Sequence, residues 1–110
     1  VSIFGDYPDS KVFQFAKLLM DSGADGIICS PREAALLRKN DELKELSVVT
    51  PGIRSSDAPP DDQKRTMSAG EAIKAGADYL VIGRPITQAA DPILAAQKIA
   101  EEIASALKLK

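Results

Sequence analysis

A glycine-alanine-aspartate turn followed by a short apolar run occurs twice in this chain, as SGADGIICS at residues 22–30 and as AGADYLVIG at residues 75–83. In both copies the glycine follows a helical pattern, and the apolar run has the length of a strand. Short apolar runs that are bounded by turn residues and separated by helical stretches predict parallel strands covered by helices. The repeat therefore predicts a β/α architecture with a parallel sheet.

Apolar periodicity divides the chain into four short strands that alternate with four helices. The core must come from Ile, Leu, Val and Ala, because aromatic residues make up only 5% of the chain and tryptophan is absent. The sequence predicts strands at residues 1–5, 25–30, 46–50 and 78–82, and helices at 11–22, 31–39, 68–76 and from 92 onwards, the last with a buried face of Ala96, Ile99, Ala100, Ile103, Ala104 and Leu107.

Capping residues mark the predicted helix ends. A serine followed three residues later by a glutamate, the spacing of a capping box, occurs at positions 30 and 33 and again at positions 68 and 71. Glu33 and Glu71 are therefore assigned structural roles. The expected caps are Asp9 or Ser10, Ser30, Ser68 and Asp91 at helix starts, and Gly23, Asn40 and Gly76 at helix ends.

Four β/α units amount to half of an eight-stranded TIM barrel, which needs at least about 200 residues. The 110 residues therefore predict one α/β domain, residues 1–110, with the fold of a (βα)4 half-barrel. A lone four-stranded parallel sheet would leave its outer strands unpaired and its inner face in water. The chain either flattens into an open sheet or pairs with another half, and we expect it to self-associate, as a homodimer or a higher homo-oligomer.

Composition excludes several classes of protein. The net charge of −2 argues against nucleic acid as a partner, because no basic stripe is available to replace counterions. One cysteine and no histidine exclude a disulfide framework and an ordinary zinc site, and they suit the cytoplasm. No apolar run is long enough to cross a membrane, and the first residues lack the pattern of a leader.

Two glycine-arginine turns directly follow the third and fourth predicted strands, as Gly52-Ile53-Arg54 and as Gly83-Arg84. Helix N-termini and cationic side chains meet at the carboxyl ends of parallel strands, which is the arrangement that binds phosphate. The loop at residues 51–65 is too long for a simple connector and has the character of a lid. The alternative interpretation is that the glycines only turn the chain, the arginines face water and the loop is a connector.

The other polar candidates are assigned to structure. Cys29 lies within an apolar run and no histidine exists to activate it, so it is interpreted as a core residue. Asp25 and Asp78 occupy equivalent turn positions at the starts of strands, which in a barrel is the face that serves stability, so we assign them structural roles. Asp61 and Asp62 could form a metal pair, but no further ligands are suitably spaced, and we predict no metal or other cofactor.

Three segments, VVTPGIR, DQKR and AIKAGADYLVIGRPITQAADP, together resemble the C-terminal half of bacterial orotidine 5'-monophosphate decarboxylase. The segment GADGIICSPREA is similar to the sixth strand of that family and its following turn. The resemblance implies a (β/α)8 barrel that works as a dimer. It also implies a pyrimidine-biosynthesis enzyme that converts orotidine monophosphate into uridine monophosphate and carbon dioxide without a metal or organic cofactor.

Carried over by motif, the resemblance assigns four residues to the ligand. Gln63 and Arg84 would hold the phosphate of a nucleotide monophosphate, or a free phosphate or sulfate ion, through their side chains. Gly83 would contribute backbone, and Arg54 would lie close to the same end of the ligand. The loop at residues 51–65 would be the lid that grips the phosphate, and closure on a remote phosphate can supply energy to the reacting carbon.

The chain departs from the family at two places. The catalytic signature Asp-x-Lys-x-x-Asp is absent, because Asp9-Ser-Lys11 leads to Gln14 and Asp62-Gln-Lys64 leads to Met67. No catalytic residue is therefore assigned. The fifth strand of relatives reads T-x-L-T-S, whereas VSIFGD offers only Ser2.

We therefore interpret the chain as strands five to eight of such a barrel, inactive alone and completed by a complementary N-terminal half. Two alternatives stay open. One is a related phosphosugar-binding barrel enzyme of the ketogulonate-phosphate decarboxylase group. The other is a self-assembling half-barrel module without catalysis.

Overall fold

The described residues form a sheet of four parallel strands, which helices cover on one face. A computed structural model of the protein describes residues 2–3, 8–54 and 67–108. The strands are β1 (Ser2–Ile3), β2 (Gly26–Cys29), β3 (Ser47–Thr50) and β4 (Tyr79–Leu80), and they lie side by side in chain order. Connections between neighbouring parallel strands are almost always right-handed, which places successive connecting helices on the same face of the sheet. This topology confirms the predicted α/β half-barrel and differs from an open doubly wound sheet, in which the strand order reverses.

The predicted helices are confirmed with shifts of one or two residues at their ends. The described residues also contain two short helices that the sequence does not predict, a 3-10 helix before the third strand and a one-turn helix after the fourth. The helices are α1 (Asp9–Asp21), α2 (Pro31–Arg38), a 3-10 helix (Asp41–Leu43), α3 (Ala69–Ala75), α4 (Arg84–Thr87) and α5 (Pro92–Lys108).

Serine and aspartate caps form where the sequence predicts them, except at α1. The Ser30 hydroxyl accepts a hydrogen bond from the amide of Glu33 at 3.4 Å, and Asp91 accepts one from the amide of Leu94 at 3.1 Å. The N-cap of α1 is Pro8, whose side chain has no atom that can accept a hydrogen bond. The prediction that Asp9 or Ser10 caps this helix is therefore wrong. Both lie inside the first turn, where the Asp9 carboxylate accepts a bond from Arg32 at 3.1 Å instead.

Glycines end α1 and α3 as predicted. Gly23 has φ +91°, and its amide donates to Met20 while the next amide, of Ala24, donates to Leu19. These two bonds form a Schellman motif, which satisfies the last carbonyls of a helix. Gly76 has φ +119° and occupies the C-cap of α3.

The core lies between the helices and one face of the sheet. Side chains alternate along each strand, so Ile27 and Val48 are buried under the helices. The opposite face carries Ile28 and Val49, which are half-buried, and Tyr79, which is 64% exposed. The helix-covered core comprises Val12, Ala16, Ile27, Cys29, Ala34, Leu37, Leu43, Leu46, Val48, Ile53, Ala69, Ala72 and Ala77.

Helix α5 buries a different face from the one that the sequence predicts. It packs mainly against α3, at the side of the helical layer. Ala106 is buried, and Ile99 and Ile103 pack against the core, but Leu107 is 56% exposed. The buried stripe therefore follows one side of the predicted face. Ala96 is half-buried, and the remaining predicted members, Ala100, Ala104 and Leu107, are exposed.

Arg38 and Asp78 join three elements at the amino edge of the sheet. From the end of α2, the Arg38 guanidinium donates to the carbonyls of Gly76 and Leu46, each at 3.0 Å. It also pairs with the Asp78 carboxylate at 2.5 Å, and the same carboxylate oxygen accepts the amide of Val48 at 2.8 Å. The cluster ties α2 to the starts of β3 and β4, which agrees with the structural role predicted for Asp78.

Replacing Asp78 with alanine should destabilise the fold, because the substitution removes the acceptor of both Arg38 and the Val48 amide. We expect Asp78→Ala to lower the free energy of unfolding by about 2–3 kcal/mol, measured by urea denaturation. The matched control is Asp41→Ala, which breaks an exposed pair with Lys44 and should cost less than about 0.5 kcal/mol. Equal stability of the two variants would contradict a central role for Asp78.

The two helix-ending glycines should differ in their tolerance of a methyl group. At Gly23 an added Cβ meets no atom within 4 Å, so Gly23→Ala should cost about 1 kcal/mol for the left-handed backbone alone. At Gly76 the added Cβ overlaps the Cγ atom of Arg38, so Gly76→Ala should cost about 2 kcal/mol more. Thermal and urea unfolding of both variants measure the difference, and equal losses would show that Arg38 moves aside freely.

Candidate functional site

A cavity of about 240 Å³ opens at the carboxyl edge of the sheet, between the ends of β3 and β4. Of the residues predicted for the site, Arg54, Gly83 and Arg84 all line this cavity, whereas Gln63 lies outside the described residues. The complete described lining is Pro51, Gly52, Ile53, Arg54, Val81, Gly83, Arg84 and Pro85.

The turn after β3 brings Arg54 to the cavity. Gly52 has φ +75°, a left-handed conformation that turns the chain and that larger side chains rarely adopt. Ile53 then fixes the turn, because its side chain is only 5% exposed within the core. Arg54 follows immediately and is half-buried.

Residues 53–54 are also joined to the chain that leads into α3. Ile53 and Met67 form an isolated parallel bridge, and the amide of Arg54 donates to the Met67 carbonyl at 3.0 Å. Arg54 and Met67, the described residues on either side of residues 55–66, are therefore bonded to each other, and Arg54 lines the cavity. Most of the predicted lid at residues 51–65 falls in that segment, outside the described residues, so only the base of the predicted lid is described.

The turn after β4 contributes the opposite wall. The carbonyl of Gly83 accepts the amides of Ile86 and Thr87 at 2.9 and 3.0 Å, which starts the single turn of α4. A Cβ added at Gly83 would meet no atom within 4 Å, so the space beside this backbone is open. Arg84 is exposed at the cavity wall, and Pro85 follows it in the first turn of α4.

The described lining of the cavity carries positive charge. It contains the two guanidinium groups of Arg54 and Arg84 and no carboxylate. Planar guanidinium groups bind phosphate and carboxylate oxygens through paired N–H donors. The described lining also lacks a nucleophile and a general base, so these groups can hold an anion but cannot by themselves break a bond in it.

The turn at residues 52–54, which carries Arg54, is called the arginine turn below. A second cavity of about 330 Å³ lies on its other side, among α3, α4 and α5. Ile53, Arg54 and Pro85 line both cavities and therefore separate them. Glu102 of α5 lines the second cavity and accepts a hydrogen bond from the amide of Gly70 at 2.5 Å. Sequence reasoning missed Glu102, although its spacing of three residues from Ile99 already placed it toward the packed side of α5.

The remaining titratable candidates have structural environments. Burial raises the pKa of Cys29 to about 12, and the nearby charge of Glu33 adds to the increase while Arg38 opposes it. Cys29 is therefore a neutral core thiol near pH 7, as predicted. Hydrogen bonds from Ser68 lower the pKa of Glu71, and the two residues form the complete capping box predicted for α3.

The described part of the chain contains neither a metal-binding cluster nor a membrane-spanning helix. No group of three or more acidic, cysteine or histidine residues there could hold a metal ion. Asp61 and Asp62, the pair considered for a metal, lie outside the described residues. None of the described helices is long and apolar enough to span a membrane.

Comparisons with known proteins agree on one family. The model of the Orotidine 5'-phosphate decarboxylase / HUMPS family matches residues 2–99. An orotidine 5'-phosphate decarboxylase of Gluconobacter oxydans is 53% identical over 100 residues, which are 90% of this chain and 42% of the relative. Another from Citrifermentans bemidjiense is 56% identical over 92 residues, which are 84% of this chain and 38% of the relative.

A solved structure gives the same result for the fold. The crystal structure of orotidine 5'-phosphate decarboxylase from Lactobacillus acidophilus matches with a TM-score of 0.70 at 36% identity. The match covers 90% of this chain and 39% of the solved one. The chain thus spans about two fifths of the length of the relatives that it matches.

Proposed function

Because the chain belongs to the Orotidine 5'-phosphate decarboxylase / HUMPS family, we propose that it supplies the phosphate-binding half of an orotidine 5'-phosphate decarboxylase. The complete enzyme would convert orotidine monophosphate into uridine monophosphate and carbon dioxide, in cytoplasmic pyrimidine biosynthesis and without a cofactor. The observation that carries the proposal is the cavity shared by Arg54, Gly83 and Arg84.

The cavity suits a phosphate monoester for electrostatic reasons. Such a group carries a charge of about −1.5 to −2 near pH 7. Arg84 would bind two of its oxygens, Arg54 would add a second positive charge, and the backbone at Gly83 would approach closely because no side chain intervenes. Gln63 would join them from the segment at residues 55–66, and closure of that segment would use phosphate binding to orient the distant reacting carbon.

The groups that break the carbon–carbon bond would come from elsewhere. The sequence has no Asp-x-Lys-x-x-Asp run, and the described cavity lining has no carboxylate or lysine that could replace it. The chain alone would therefore bind the phosphate end of the nucleotide without turning it over. A complementary N-terminal half-barrel would carry the catalytic carboxylates and lysine.

The uncovered face of the sheet favours such a partner. Tyr79 is 64% exposed and Val81 is 54% exposed on the face opposite the helices. Covering apolar surface contributes about 25 cal/mol per Å², before the entropy of association is subtracted. In the absence of the complementary half, a second copy of the chain would cover the same face, which is the self-assembling function kept as the alternative.

Phosphate binding can be tested on the chain directly. Titration with inorganic phosphate and with uridine monophosphate, followed by amide NMR, should shift the Gly83 amide. Arg84→Ala should weaken binding about tenfold or more, because it removes charge-assisted hydrogen bonds. The control Lys44→Ala removes an equal charge from an exposed pair and should leave the affinity unchanged. An unmoved Gly83 amide, or wild-type affinity in Arg84→Ala, would refute the phosphate site.

Catalysis should require two halves. Uridine monophosphate production by the chain alone should be absent, and mixing with the N-terminal half of a related decarboxylase should restore it. Sedimentation of the same samples should show an oligomer of the chain alone and a mixed assembly after addition of the other half. Robust turnover by the chain alone would overturn the assignment of the catalytic groups to the missing half, and a stable monomer would overturn the proposed self-association.

A further inference from the structure

Glu102 is a charged side chain that bridges two helices close to the proposed phosphate cavity. Its Oε2 atom accepts the amide of Gly70 at 2.5 Å, although the two residues are 32 positions apart in the chain. A Cβ added at Gly70 would lie 3.2 Å from that oxygen and 3.3 Å from Glu102 Cγ. The close approach of the carboxylate therefore depends on a glycine in the first turn of α3.

Side chains accept three of the backbone amides at the start of α3. The first amides of a helix have no acceptor within the helix itself. The amide of Ser68 donates to Glu71 at 3.1 Å, and the amide of Glu71 donates to the Ser68 hydroxyl at 3.2 Å. Glu102 accepts the amide of Gly70 between them, so a carboxylate from another helix satisfies the third of these three amides.

This turn is directly connected to the arginine turn at the cavity. Met67 immediately precedes the Ser68 cap, and its carbonyl accepts the amide of Arg54 at 3.0 Å. The bridge between Ile53 and Met67 runs alongside. A short path of hydrogen bonds and chain therefore leads from Glu102 through Gly70 and Met67 to the backbone of Arg54.

Helix α5 packs against α3, whereas a cavity lies between α5 and the turn of Arg54. The cavity of about 330 Å³ lies between α5 and the arginine turn, and Ile53, Arg54 and Glu102 all line it. Side chains around a void lack the contacts that fix a close-packed core. The path through Gly70 and Met67 is therefore the polar connection that the described residues show between α5 and the backbone of Arg54, beside the packing of α5 on α3.

We propose that Glu102 is a positioning residue for the phosphate cavity, which holds the first turn of α3 and thereby fixes the backbone of Arg54. The proposal rests on the proposed function of that cavity. A preorganised Arg54 binds an anion without first losing conformational freedom. Removal of the Glu102 carboxylate leaves the Gly70 amide without its acceptor and makes Met67 more mobile. Phosphate binding must then order the turn of Arg54, which weakens the affinity.

Amide hydrogen exchange and phosphate affinity together test this role. The variants are Glu102→Ala, which removes the acceptor, and Glu102→Gln, which keeps an oxygen acceptor without the charge. The matched control is Glu101→Ala, which makes the same change at the exposed neighbouring position of α5. Exchange of the Val48 amide, which is bonded to Asp78 at the opposite edge of the sheet, reports any general loss of stability.

Glu102→Ala should accelerate exchange of the Gly70 and Arg54 amides about tenfold or more and raise the dissociation constant of inorganic phosphate by a similar factor. The Val48 amide should be unaffected. Glu102→Gln should fall between wild type and Glu102→Ala in both measurements, because its side-chain oxygen can still accept the Gly70 amide. Glu101→Ala should match wild type.

Two results would overturn the positioning role. One is faster exchange at Gly70 with no change at Arg54, which would limit Glu102 to capping α3. The other is equal acceleration at Val48 and Arg54, which would reduce its effect to overall stability. Failure of the wild-type chain to bind phosphate would refute the proposed function alone, because exchange of the Arg54 amide decides the role of Glu102 without any ligand.

Discussion

The ion pair between Arg38 and Asp78 fixes the frame on which the rest of the structure depends. It joins the end of α2 to the starts of β3 and β4, and the same aspartate accepts the amide of Val48. The amino edge of the sheet is thereby closed by long-range polar contacts. The carboxyl edge, where the same two strands end, carries the turns of Arg54 and Gly83. Stability and the candidate site thus occupy opposite ends of the strands, as is usual in β/α barrels.

The two copies of the turn-and-strand repeat differ in sequence where their strands occupy different positions in the sheet. Gly26 and Tyr79 are equivalent in the two copies. An added Cβ at Gly26 would lie 2.7 Å from the Ser47 carbonyl oxygen, so an interior strand permits only glycine there. Tyr79 lies on the last strand of the described sheet, where 64% of its surface is exposed. The copies also end differently, with Ser30 capping a regular helix and Gly83 opening the candidate cavity.

Two features of the structure fit the proposed function, in which the chain supplies one part of a larger active site: the cavity between Arg54 and Arg84, and the uncovered face of the sheet. The cavity between Arg54 and Arg84 offers positive charge without a catalytic group in its described lining. The face opposite the helices leaves Tyr79 and Val81 exposed. On the proposed function, one partner would supply both the missing catalytic groups and the missing cover of the sheet. The half-barrel that covers this face would also bring the reacting groups over the nucleotide. Glu102 would then help to keep the phosphate end of the site ordered.

The sequence by itself determined the order of strands and helices, the half-barrel fold and most helix ends. These features depend on periodicity and on bonds that span a few residues, such as the cap at Ser68 and the left-handed turns at Gly23 and Gly76. The meeting of Arg54, Gly83 and Arg84 was also predictable, because parallel strands end at a common edge. Tertiary structure alone decided which face α5 buries, why Asp9 bonds to Arg32 instead of capping α1, and that Glu102 supports α3. These outcomes depend on residues far apart in sequence, whose approach is set by the packing of whole helices and leaves no local pattern.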